Sequence, residues 1–132
     1  MKIEVPISIG ELFDKVSILQ IKKEKILDKK MLNLVNDELS LLLEFVSIVI
    51  KNNKDREEKI NNLIKNLKHI NEELWRIEDK KRDCERKKIF DNNFIELARS
   101  VYIKNDKRAE LKKEINLMFD SKIVEVKSYE NY

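Results

Sequence analysis

One glycine, one proline, one cysteine and one histidine stand in 132 residues, and each scarcity closes a route to function. With Gly10 alone, no glycine-rich loop can wrap a phosphate. His69 sits in a helical stretch with no supporting motif, so neither a zinc site nor a Ser-His-Asp arrangement is expected. Cys84 has no partner for a disulfide, and its place in an apolar seam suits a small hydrophobe better than a reactive thiol. The most apolar run, Leu39 to Ile50, contains Glu44 and falls far short of the roughly 20 residues that cross a bilayer. Met1 to Pro6 alternates charged and apolar residues and lacks the apolar core of a secretory signal. A reduced, cytoplasmic setting with no membrane contact is therefore expected, and neither a metal nor a cofactor.

Charge of one sign is also scarce. Lysine and arginine number 28 against 25 acids, a formal net charge of +3, and the two signs interleave along the chain, which does not demand a nucleic-acid partner. Even the densest basic patch, Lys80 to Lys88, contains Asp83 and Glu85. What is abundant is charge itself, at 40%, beside 42% apolar residues. That balance, with so few helix breakers, belongs to a long-helix protein, and the length suits a single domain over residues 1–132.

The helices can be read from their periodicity. Ser8-Ile9-Gly10-Glu11 is a capping box with Ile7 and Leu12 as its staple, opening a helix whose inner face is Leu12, Val16, Leu19 and Ile26. Near Asp28-Lys29-Lys30 the apolar phase slips, and a new seam runs through Leu32, Val35, Leu39, Leu42, Val46 and Val49, so a break falls between them. Further apolar residues off that seam call for cover from the bundle or from a second copy of the chain. After Asn52 and Asn53, a helix of roughly 50 Å is predicted from Asp55 to about Lys88. Its seam is Ile60, Leu63, Leu67, Ile70, Leu74, Ile77 and Cys84, with Lys81 the one miss. The last helix opens at Asn93 and repeats Phe94, Leu97, Val101, Leu111, Ile115 and Met118.

The two long repeats predict an antiparallel hairpin, turned between Lys88 and Asn92, in which residues whose numbers sum to roughly 180 lie at one height. Lys104 and Arg108 break the second seam, so Glu72 is expected opposite Arg108, with Trp75 and Glu78 near Lys104 and Asn105. One reading of this layer is a set of ion pairs that fix register between helices. The other is a cleft whose cations hold an anion, drawn from Arg99, Tyr102, Asn105, Asp106, Arg108 and Lys112 on the last helix and Glu72, Trp75 and Glu78 on the facing one. Asn105 and Asp106 are weak helix formers in mid-element, pointing to a kink or to side chains kept for contacts. Both ends of the chain, Lys2 to Ile7 and Ile123 to Lys127, alternate like strands and could pair with each other. The expected fold is thus all-α in the main: an elongated antiparallel bundle with a long hairpin and a small two-stranded pairing of the termini.

Four stretches, EVPISIGELFDK (4–15), NEELWRIEDKKRDCE (71–85), FIELARSVYIKNDKRAELKKEIN (94–116) and VEVKSYENY (124–132), together resemble a family of short bacterial and bacteriophage proteins classed as a domain of unknown function. The resemblance implies a discrete protein type and no particular activity.

Two functions fit these observations. One is a non-catalytic intracellular protein that forms a homodimer and binds a partner protein or an anionic metabolite. The other is a small all-helical enzyme of the chorismate-mutase kind, in which Arg99, Arg108 and Lys112 grip an anion and Glu72 or Glu78 positions a hydroxyl. A helical nucleotide pyrophosphohydrolase would need two acid pairs to hold magnesium, and only Glu11 with Asp14 supplies one.

Overall fold

The computed structural model describes all 132 residues and contains four α-helices: α1 (Ile9–Lys25), α2 (Lys29–Asn52), α3 (Glu57–Lys87) and α4 (Asn92–Met118), with a 3-10 turn, Lys54–Arg56, between α2 and α3. The caps account for most boundaries. Ser8 accepts from the Glu11 N–H at α1, Asp28 from Met31 at α2 and Asp91 from Phe94 at α4, each satisfying a donor that the first helical turn leaves free. The last of these places the α4 cap two residues before the expected Asn93. The α1–α2 break falls where the apolar phase slips. At the end of α3, Lys88 takes a left-handed conformation with φ 55°, and its N–H, like that of Ile89, returns to the last turn, reversing the chain where the hairpin required it.

The core is one cluster. Phe13, Val16, Ile60, Leu67 and Ile115 are completely sealed within it, and Leu12, Leu19, Val35, Leu39, Val46, Leu63 and Ile64 complete it. α1 packs on all three other helices, α3 packs along α4, and α2 rests on α1 and the 3-10 turn. Beyond Leu74 on α3 and before Lys112 on α4 no side chain is fully buried, so that half of the hairpin projects as a two-helix arm. The chain exposes 9821 Å², about a third more than the roughly 7,300 Å² of a compact monomer of this mass. No helix is long and apolar enough to cross a membrane.

No residue lies in a β-strand, so the two-stranded pairing of the termini is not what joins the ends. Helix-end hydrogen bonds hold them instead. Gly10 N–H donates to Asn116 Oδ1 at 2.7 Å and Ile9 N–H to Ser121 Oγ at 3.3 Å, consuming the free donors of α1 on the far end of α4. The approach is so close that a Cβ at Gly10 would sit 2.6 Å from the Lys112 carbonyl oxygen and 2.9 Å from Asn116 Oδ1. The single glycine is needed here for lack of space, not for an unusual φ.

Candidate functional site

Where α1, α3 and α4 meet, the apolar core gives way to a connected polar cluster. Asn71, buried on α3, donates through Nδ2 to Asp14 Oδ1 and Ser17 Oγ, both at 2.8 Å. Ser17 in turn donates to the Asp14 carbonyl oxygen at 2.7 Å. On its other side Asn71 Oδ1 accepts from Arg108 Nη1 at 2.9 Å, and Arg108 Nη2 donates to Asn105 Oδ1 at 2.8 Å. One amide thus ties a buried carboxylate to a guanidinium on the opposite helix. Fully connected networks of this kind keep buried polar groups from becoming costly orphans.

One turn along α4, Lys112 is buried with its ammonium among three acids. Nζ donates to Glu11 Oε2 at 2.6 Å and Glu125 Oε2 at 3.1 Å, with Asp14 Oδ2 at 3.7 Å. Burial pushes this ammonium toward deprotonation, yet the hydrogen bonds it donates to Glu11 and Glu125 and the charges of Glu11 and Asp14 outweigh it, so its pKa is raised. Glu125 is lowered, first by its hydrogen bond with Lys127 and then by that with Lys112. Glu125 belongs to the segment after α4, and the ammonium therefore pins this C-terminal tail against the bundle.

Between the tail and α4 lies a cleft of about 490 Å³, within the range of small-molecule sites, lined by Tyr102, Asn105, Asp106, Arg108, Ala109 and Lys112 from α4 and Glu125, Lys127, Tyr129 and Tyr132 from the tail. Tyr132 donates its hydroxyl to Asp106 Oδ2 at 2.6 Å, and its ring meets Tyr102 edge-on with centroids 5.4 Å apart. That hydrogen bond raises the Tyr132 pKa. Lys127 pairs with Glu125 at 3.0 Å and lies 5.8 Å from the Tyr129 ring centroid.

Of the nine residues singled out by the sequence, Tyr102, Asn105, Asp106, Arg108 and Lys112 come together here. Arg99 lies outside the lining and pairs with Glu96 at 2.9 Å. Glu72, Trp75 and Glu78 are half-buried on α3 and do not reach the cleft. Glu72 faces Lys68 at 4.0 Å and Glu78 faces Lys81 at 3.2 Å, both along their own helix. The expected Glu72–Arg108 meeting is replaced by Asn71–Arg108, one residue away, and Lys104 pairs with Glu73. α4 runs unbroken through Asn105 and Asp106, whose side chains serve Arg108 and Tyr132.

Sequence reasoning missed Asn71, Ser17, Glu125 and Lys127 as participants; Tyr129 and Tyr132, which on sequence either anchor the tail or simply end it, both line the cleft, and Tyr132 is held by Asp106. Glu11 and Asp14, the one acid pair of a magnesium site set aside for want of a second pair, both face the Lys112 ammonium. No three His, Cys, Asp or Glu side chains are grouped to hold a metal ion. Compared with protein-family models, with curated proteins and with solved structures, the chain matches none.

Proposed function

We propose that this is a non-catalytic, self-associating helical binding protein, and that the cleft between α4 and the C-terminal tail takes a small anionic ligand on Arg108. The observation that carries the reading is the company Arg108 keeps. Its guanidinium is half-buried and its hydrogen bonds go to the amide oxygens of Asn71 and Asn105, with no carboxylate within ion-pair distance. A guanidinium has five N–H donors; two are used here to aim it, and the others are left for a carboxylate or phosphate, the groups its planar fork fits. A partly desolvated cation without a counter-charge is costly unless something anionic completes it.

The acids of the site favour binding over chemistry. Glu11, Asp14 and Glu125 are committed to Lys112, and Asp106 to Tyr132, so none stands ready as a general base. The stretches that carry the family resemblance each contribute to this cluster, through Glu11 and Asp14, Asn71, Arg108 and Glu125. Self-association is supported by α2, whose main helix packing is against α1 while Met31, Leu34, Phe45 and Ile48 remain exposed. Their spacing puts all four on one face of α2, and an apolar face of this kind, unlike singly scattered residues, marks an interface.

The test is calorimetric titration of the wild type and Arg108→Gln with a panel of small carboxylates and phosphates. Saturable binding by the wild type that the variant loses supports the reading. Equal heats from both would sink it. For self-association, sedimentation of wild type and Phe45→Glu should give a dimer and a monomer; a monomeric wild type removes that half.

A further inference from the structure

The charges around the cleft restrict which anion can enter it. Lys127 is spent on Glu125, and Lys112 is spent on Glu125, Glu11 and Asp14. Asp106 and Arg108 flank the stripe Tyr102, Asn105, Ala109 and Lys112 on opposite sides of α4. Among the cations lining the cleft, Arg108 is consequently the one without an anionic partner, and a second negative charge on the ligand would face Asp106 and Glu125 with no free cation of the lining to neutralise it. The wall also carries three tyrosines, Tyr102 and Tyr132, which meet edge-on, and Tyr129. Rings in such a wall accept a flat partner by stacking or edge contact.

We infer that the ligand is a monocarboxylate carried on a planar, ring-like body, its two oxygens received by the Arg108 fork and its ring by the tyrosine wall. Phosphate monoesters, dianionic at neutral pH, are disfavoured by the same balance. This rests on the anion site proposed above and names the class of anion it accepts.

Three probes test it by amide chemical-shift titration at pH 7.5: benzoate, cyclohexanecarboxylate and phenyl phosphate. Benzoate should move the Asn105, Arg108 and Tyr129 amides saturably and bind about tenfold more tightly than phenyl phosphate, the scale of one uncompensated charge near two acids in a half-solvated site. Cyclohexanecarboxylate should bind more weakly than benzoate. Arg108→Lys, which keeps the charge and loses the fork, should fall between wild type and Arg108→Gln, with spectra otherwise like the wild type. Phenyl phosphate binding as tightly as benzoate or more so overturns the carboxylate assignment and leaves the anion site standing. Equal binding of benzoate and its saturated analogue overturns the planar body alone. No saturable shift with any probe, or shifts unchanged in Arg108→Gln, overturns the anion site itself and this inference with it.

Discussion

Two cations one turn apart on α4 live in opposite surroundings. At the α1–α4 junction Lys112 is buried and answered by three carboxylates, while in the α3–α4 layer beside it Arg108 is half-buried and answered by two neutral amides. The first arrangement is self-sufficient: its charges close on one another and its product is a joined fold and a docked tail. The second is aimed but incomplete. Similar residue types in one seam thus separate into a structural lock and a receptor, and what separates them is whether the chain itself supplies the counter-charge.

The comparison breaks most visibly at Lys112. Lys112→Met leaves Glu11 and Asp14 without a cation and Glu125 with Lys127 alone; removing one partner of a buried ionic group costs about 3–5 kcal/mol, and the low end applies here because Glu11 and Glu125 are partly exposed. Urea unfolding should report that loss at neutral pH, and most of it should return in Glu11→Gln/Lys112→Met, where fewer acids are stranded. Next comes Gly10→Ala. The new methyl meets the Lys112 carbonyl, which belongs to a helix backbone and cannot swing away. Separating α1 from α4 by a few tenths of an ångström should cost about 2 kcal/mol in the same assay. Arg108→Gln lies at the other end, with unfolding free energy changed by less than about 0.5 kcal/mol, because the wild-type guanidinium is short of a counter-charge and Gln can still donate to Asn71. A fall as large as that of Lys112→Met would erase the distinction between lock and receptor.

How much of this was legible beforehand depends on the range of the signal. The helices, the break near Asp28 and the turn after Lys88 follow from periodicity and capping, which act within one or two turns. The hairpin register was also within reach: a height sum of roughly 180 pointed at Arg108 and its neighbourhood on α3, and Asn71 satisfies it. The sum falls on Glu72 itself, and height alone does not separate it from the amide beside it. Helical rotation decides between adjacent residues, and Asn71 faces inward between Asp14 and Arg108 while Glu72 turns toward Lys68. Glu11 and Asp14 were noticed as a pair, but their partner lies about a hundred residues later, on a helix whose contact with α1 no local pattern announces. The tail departs from its expected strand for a related reason. Alternation in Ile123 to Lys127 is the strand signature, yet it equally lets Glu125 and Lys127 face α4 from an extended segment with no strand to join.

The finest distinction between lock and receptor lies in the tail, which belongs to both, and pH separates its attachments from the bundle. Glu125 has a lowered folded pKa, so its contribution is whole above its unfolded value of about 4.3 and is lost as pH falls through the folded one. Lys112 and Tyr132 are raised; their contributions are whole below unfolded values of about 10 and fade only as pH climbs through the folded ones. Docking should therefore hold from mildly acidic to strongly alkaline pH and fail on the acid side, below the ordinary carboxylate range. Amide spectra recorded from pH 6 down to pH 3 should show Tyr129 and Tyr132 moving to unstructured positions while Phe13 and Val16 stay fixed in the core. If the core signals move together with the tail, Glu125 serves the whole fold through Lys112, and the tail cannot open the cleft by itself.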